Sequence, residues 1–555
     1  MSETADLIFT NAHVLTMDDA RPRAEAVAVK GNTILAVGTK ADVEALKGKG
    51  TRVVDAKGAT VMPGFVEGHM HLFSGAAELD HLQLFGVKGF DALEKAVRAF
   101  AAAHPERNVL VAQGADYTIL SDTERVTRHH LDRIISDRPF MMASPDHHTM
   151  WANTIALEKA GILKGKKLGP GNEIVMGADG LAEGELREGE AFQPVMALSG
   201  AGRERLGLST GGEPDPMPSP AERKADREIV KKGLAYCAEH GITSIHNMDG
   251  NLYILELLSE IEAEGDLKCR VRVPFHFKNF MDLAMLEKAS MMAERYKSPT
   301  ISSGFVKVFY DGVLDSFTAV MIDDYADKPG EKGEPLFTPE AFKRVATEID
   351  RRGLQIAVHA IGDGAVRAVL DGYEAAAKAN GKRDSRHRIE HIEVIHPDDI
   401  ARFARLGVVA SMQPPHPPGT MGLPLEPTVS RIGRHRWHLA YAWRTLREAG
   451  ARLVFATDWP VSPINPLTSV EAAVTRTKWA DDLPDQRQTL PETLASYTKD
   501  SAYTEFMEGR KGELKPGQLA DIVMLDGDIA AIPPERIGQM KVKMTVCDGR
   551  VTYER

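Results

Sequence analysis

Cysteine is scarce: there are three in 555 residues, Cys237, Cys269 and Cys547, far apart and in no CxxC pair. Such usage suits a reducing compartment and gives no disulfide framework. Long apolar runs are missing as well; none reaches the ~20 residues of a membrane span. The opening MSETADLIFTNAHVLTM has neither a basic n-region nor an apolar h-region, so no secretory signal is expected. A basic stripe is also lacking. The 68 Lys and Arg stand against 79 Asp and Glu, a net charge of −11, which disfavours nucleic acid as a partner. The expectation is a cytoplasmic globular protein acting on a small molecule, with no membrane association.

What is present is ample core material. With 43% hydrophobic residues in 60.7 kDa, the chain is too long for one small domain. Both ends read as short strands. LIFTNAHVLTM, AEAVAVKGNTILAVG and RVVDAKGATVMPGF open the chain, and the KGN turn joins two alternating runs. ADIVMLDGD and VKMTVCDGRVTYE close it, with Asp548-Gly549 as a tight turn. The economical reading is one small β-sandwich built from both termini, residues 1–60 and 509–555.

The middle alternates strand and helix. Candidate strands lie at about 60–71, 242–248, 269–277, 303–310, 354–361, 386–393, 407–414 and 451–458. Amphipathic stretches separate most of them, such as AERKADREIVKKGLAYCAEHG ending in Gly241, and TPEAFKRVATEIDRRG with Thr338 as N-cap and Gly353 as stop. Eight such units make an α/β fold, a (β/α)8 TIM barrel over residues 61–72 and 221–508. Residues 73–220 break the rhythm. They form a long insertion after barrel strand 1, expected to stand over the active-site face as a lid or pocket wall, with the Pro/Gly-rich stretch 208–220 closing it.

Polar residues at the strand ends carry the chemistry. In PGFVEGHMHL, His69 and His71 share one strand face. Lys307 lies inside GFVKVFYDG, His359 in IAVHAIGDG, His391 in RIEHIE, and Asp458 in LVFATDWP. One strand histidine alone reads as a hydrogen-bonded core residue; four, on several strands of one barrel mouth, read as a divalent metal site, and imidazole with carboxylate is a set zinc favours. A lysine inside an apolar run is costly to desolvate. Lys307 either pairs with a carboxylate such as Asp311, or has its pKa lowered by burial so that it reacts with carbon dioxide to give a metal-bridging carbamate. Asp458 is either a helix N-cap or a carboxylate that moves a proton beside the metal. Near the mouth lie Phe73, Trp151, Tyr310, Met412, Gln413, His416 and Trp459. Trp151, Tyr310, Gln413, His416 and Trp459 are the expected substrate contacts, and the aromatics suggest an apolar substituent.

VMPGFVEGHMHL, HHTMWANTIAL, VKVFYDG, VHAIGDGAV, RIEHIE, FATDWPVSPINPL and GELKPGQLADIVMLD, in that order, resemble the signature blocks of the amidohydrolase superfamily, specifically amidohydrolase family 3, the group of the N-substituted formamide deformylases. The resemblance spans nearly the whole chain. It implies a (β/α)8 barrel with a β-sandwich, and a metal-bound hydroxide attacking an amide or N-formyl C–N bond. It further implies that His69, His71 and Asp458 hold one metal, that His359 and His391 hold a second, and that carboxylated Lys307 bridges them. Two zinc ions are expected, with iron, manganese or nickel as substitutes. Glu67 departs from the family, which commonly has Asp there. A cyclic-amide hydrolase or deaminase on the same scaffold is the alternative, and a non-catalytic binding protein a weaker one. Homodimers or larger homo-oligomers are a family expectation.

Overall fold

The computed structural model describes residues 3–145, 147–169, 172–199 and 213–555. The expected closing stretch of the insertion lies outside the described residues up to 212.

The chain is α/β. Eight strands carry its centre: β1 Phe65–Met70, β2 Ile242–Asn247, β3 Arg270–Arg272, β4 Phe305–Phe309, β5 Gln355–Ala360, β6 Arg388–His391, β7 Val409–Met412 and β8 Arg452–Phe455. Their residues are almost all buried on both faces, as parallel strands sandwiched between side-chain layers require. β1 pairs with β2 and β2 with β3, all parallel; β4 through β8 pair in sequence order, also parallel. The third unit is interrupted where one strand over 269–277 is expected. Pro274 has no N–H to give to a ladder, and the chain resumes as a two-residue strand, Phe275–His276, that pairs with β4. At the other edge, Asp458 N donates to His69 O at 3.1 Å, tying the end of β8 to β1.

The expected helices form with their expected punctuation. Pro220–Glu239 starts at Ser219 in a capping box with Glu222, and Gly241 beyond it has φ +78°. Pro339–Arg351 starts at Thr338, whose side chain accepts from Ala341 N, and Gly353 stops it.

Two sheets flank the centre. The strand order Arg550–Glu554, Val542–Cys547, Ile522–Leu525, Thr60–Pro63, His13–Leu15, Arg23–Ala24 interleaves the two ends of the chain in one sheet. The other sheet is N-terminal: Thr33–Gly38, Ala26–Lys30, Ala5–Thr10, Lys47–Asp55. Phe9 and Val29 from one meet Val61, Ile522 and Val546 from the other in one apolar cluster. The expected opening strand, about 60–71, is therefore two strands. Thr60–Pro63 belongs to the terminal sheet, and the central run begins only at Phe65. Gly64 is the crossing point, where a Cβ would sit 2.2 Å from Thr243 Cγ2.

Residues after β1 build a third unit, a six-stranded sheet in the order Glu173–Met176, Ala182–Arg187, Thr149–Ala152, Phe140–Ala143, Leu110–Gln113, Leu82–Gln83, with apolar clusters of its own. The WAN motif is structural there. Asn153 caps Thr154–Lys159 through Ala156 N and also accepts from Phe140 N, so it locks a helix start to a strand.

Candidate metal centre and cavity

Parallel pairing brings the singled-out residues to one end of the sheet. His359 stands opposite both Phe309 and Glu390, and His391 stands opposite Ala360. His69, His71 and Asp458 follow the same ends of β1 and β8. The ring centroids of His69 and His391 are 4.9 Å apart, those of His359 and His391 4.5 Å, and those of His69 and His71 5.7 Å.

Each of these four imidazoles has one nitrogen committed to an acceptor. His69 Nδ1 reaches Glu390 Oε2 at 2.7 Å and His71 Nδ1 reaches Asp249 Oδ1 at 2.7 Å. His359 Nε2 reaches the Gly312 carbonyl at 2.9 Å and His391 Nδ1 reaches Gln413 Oε1 at 2.9 Å. Carboxylate and carbonyl oxygens only accept, so the committed nitrogen carries the proton, and wherever the ring is neutral the other nitrogen keeps its lone pair. Asp458 is the meeting point. Its Oδ1 lies 3.4 Å from His69 Nε2 and 3.3 Å from His71 Nε2; its Oδ2 lies 3.8 Å from His391 Nδ1 and 3.9 Å from His416 Nε2. Two groups with the spacing of a metal cradle result among the described residues: His69, His71 and Asp458, and His391, His416 and Asp458.

The donors fit a cation. His69 Nε2, Asp458 Oδ1 and His416 Nε2 are buried and have no hydrogen-bond partner, which is costly unless something else binds them. Burial holds the His69 imidazole down to about 4, with the Lys307 ammonium adding to the effect, and burial also holds His359 and His391 well below their ordinary values, so these three are neutral. His71 differs: burial opposes its charge, but Asp249 and Asp458 outweigh burial and raise it to about 9. Burial likewise opposes the Asp458 charge, yet His69, His71 and His391 keep it an anion.

Lys307 points into the same mouth. Its ammonium has no hydrogen-bond partner, lies 4.7 Å from the Phe309 ring centroid, and is pulled down to about 8 by burial. Asp311 is not its partner; that carboxylate accepts from the backbone N–H groups of Val320, Ile361 and Gly362. Asp458 caps no helix, since the next one, Pro466–Thr475, is capped by Asn465. Backbone strain gathers here too. His391, Ile392 and Asp458 have φ of 77°, 53° and 61°, a region that a β-branched residue such as Ile392 almost never enters.

A cavity of about 700 Å³ opens from these residues. The insertion supplies one wall, with Phe85, Tyr117, His148, Glu188 and Phe192, and the loops after β4 and β7 supply the other, with Leu314, Met421 and Leu423. Of the five expected substrate contacts, His416 alone lines it. Trp151 is buried in the insertion and packs edge-on against Tyr117 at 5.5 Å. Tyr310 packs against Phe342 at 5.4 Å, and Trp459 fills the space over Gly75 beside Tyr236. Gln413 is spent on His391. Several participants are new to the sequence reading: Asp249 and Glu390, which hold His71 and His69, and His148, whose Nδ1 is 3.0 Å from Glu188 Oε1 on the cavity wall. Glu390 had a visible signal, a carboxylate beside His391 within the buried run RIEHIE.

The comparisons agree with this architecture. The model of the amidohydrolase family matches residues 52–553. The chain is 30% identical over 542 residues to Protein LONG AFTER FAR-RED 3 of Arabidopsis thaliana, covering 94% of this chain and 87% of that one. It is 25% identical over 568 residues to N-substituted formamide deformylase of Arthrobacter pascens, covering 100% and 99% of the two chains. The crystal structure of a metal-dependent hydrolase from Pyrococcus furiosus superposes with a TM-score of 0.69 at 25% identity, over 95% of this chain and 99% of that one. The chain belongs to the amidohydrolase family.

Proposed function

We propose that this protein is a metal-dependent hydrolase of an amide-like C–N bond, with an N-acyl or N-formyl amine bearing an apolar substituent as substrate. The observation that carries the reading is the convergence of His69, His71 and His391 on Asp458, with His359 packed against His391, each of the four with one nitrogen already committed to an acceptor. On this reading the eight parallel strands close into a (β/α)8 barrel and the two terminal sheets form a β-sandwich. His69, His71 and Asp458 would hold one divalent ion, and His359, His391 and Lys307 a second; His416, which stands in reach of Asp458, lines the second position. Two zinc ions suit these donors. Bound there, they supply Lewis acidity and a lowered pKa for attached water.

The chain's own groups do the rest. Neutral Lys307 Nζ, accessible because burial lowers its pKa, would add to carbon dioxide with loss of one proton, giving an anionic bridge. Asp458 Oδ1 would accept a proton from the attacking water and return it to the leaving nitrogen. Phe192, Leu314 and Met421 would seat the apolar substituent and keep water away from it. The deformylase from Arthrobacter pascens, matched over the full length, supports the substrate class.

The test is release of primary amine from N-formyl and N-acetyl benzylamine by zinc-loaded protein, beside ring opening of a cyclic amide and release of ammonia from an aminopyrimidine. Amine release, abolished in Asp458→Asn with the fold retained, is the expected result. Turnover of the ring substrates alone would replace this reading with the deaminase or cyclic-amide one.

A further inference from the structure

Beneath the candidate metal centre runs an unbroken chain of buried polar groups that leaves the mouth and ends in the segment after β8. It starts at His69, whose Nδ1 is held by Glu390 Oε2. Arg388 grips Glu390 with two bonds, Nε to Oε1 at 2.8 Å and Nη2 to Oε2 at 2.9 Å, and also donates to Gly68 O, next to His69, at 2.7 Å. Arg388 Nη1 donates to His246 Nδ1 at 2.6 Å, and His246 Nε2 donates to Glu505 Oε1 at 2.8 Å. Lys511 Nζ meets Glu505 Oε2 at 2.8 Å and donates to Ser244. Glu390, Arg388, His246 and Lys511 are each at most 1% exposed.

The geometry fixes more than position. Arg388 has donors only, so His246 Nδ1 must accept and His246 Nε2 must carry the proton. Glu505 is the acceptor for that proton. Within the chain the carboxylates of Glu390 and Glu505 stand against Arg388 and Lys511. Arg272, also buried, sits beside it on Gln355 Oε1 at 2.7 Å and Thr504 O at 3.0 Å. With Arg272 counted, removing the Glu505 charge would raise the excess of buried positive charge under His69 from one to two, where a dication is to bind, in a medium that screens poorly.

We propose that Glu505, acting through His246, Arg388 and Glu390, is a positioning residue for the metal centre: it orients His69 and keeps the site's field favourable to a cation. The proposal rests on the metal-centre reading above, and it gives Glu505, at the C-terminal end of the helix Lys499–Thr504 and outside the cavity lining, a part in the site.

The test is zinc affinity of the full-length protein by chelator competition, with the melting temperature of the zinc-free form measured in parallel. Glu505→Gln keeps the shape and removes the charge. It should weaken zinc about tenfold, the scale of lost outer-shell support. Adding Lys511→Met restores the wild-type sum of charges and should recover most of the loss, although it deletes a further contact. A purely structural Glu505 gives the opposite order, with the double variant the worse of the two. If Glu505→Gln does not fold, Lys511→Met alone decides: tighter zinc supports the proposal and unchanged or weaker zinc overturns it. Wild-type protein that binds zinc while Glu505→Gln binds it equally well refutes this proposal alone. Wild-type protein that takes up no zinc refutes the metal centre and this proposal with it.

Discussion

Asp249 offers a direct handle on how the site is held. Its Oδ1 is 2.7 Å from His71 Nδ1, and the pair is 0% and 11% exposed at the side chains, so solvent does little to screen it. The Asp249 charge makes His71 a better base and pins the ring with Nε2 toward Asp458. Loss of such a partner lowers metal affinity by about 10–100-fold, or roughly 1.4–2.7 kcal/mol. The structure grades the two obvious variants. In Asp249→Asn the amide oxygen can still accept from His71 Nδ1, so the orientation survives and the charge is lost; about tenfold weaker zinc is expected. In Asp249→Ala both are lost, and the expectation is about 100-fold. Isothermal titration or chelator competition at one pH reads this, with circular dichroism to confirm the fold. Zinc affinity in Asp249→Ala within about twofold of wild type would refute the reasoning, because an orienting carboxylate on a real ligand cannot be silent.

Two further outcomes test the frame. Gly64→Ala should cost roughly 1–3 kcal/mol by overpacking, since its Cβ meets the buried, β-branched Thr243, and Thr243→Ala should restore only part of it, because the Cβ of residue 243 would still lie 2.8 Å away; urea unfolding of the single and double variants measures this. Glu492 is lowered to about 2, chiefly by its hydrogen bond to Arg444. A depressed folded pKa gives stability that is present above the unfolded value, about 4.3, and is lost as pH falls toward 2. The urea midpoint of wild type should therefore exceed that of Glu492→Gln at pH 6, by a modest margin for so exposed a pair, and the gap should close between about pH 5 and pH 2.

The sequence carried the chemistry of the mouth further than its walls. Period two made Lys307 legible, because a charged residue between Val306 and Val308 must face a different layer from them. The same parity argues against Tyr310 as a substrate contact. Lys307 and Phe309 share one face, so Tyr310 takes the other and packs on the helix Pro339–Arg351. Trp151 and Trp459 read as pocket residues by their chemistry, yet their size serves burial; Gly75 is the complement of the Trp459 ring, a relation between distant segments that no local pattern reveals. Asp249 lies in a loop after β2, where hydropathy has no period, so only the fold brings it to His71. The junction at Gly64 was hidden for a similar reason. Thr60–Pro63 and Phe65–Met70 form one apolar run, and only the pairing partners separate them.

The most direct test of the account is the metal content of protein purified without chelator, with zinc, iron, manganese and nickel quantified together. Two equivalents per chain is the predicted result, falling together with activity in Lys307→Ala. One equivalent, unchanged in Lys307→Ala, would contradict the bridged pair. None, with no uptake when zinc is added, would contradict the metal centre itself.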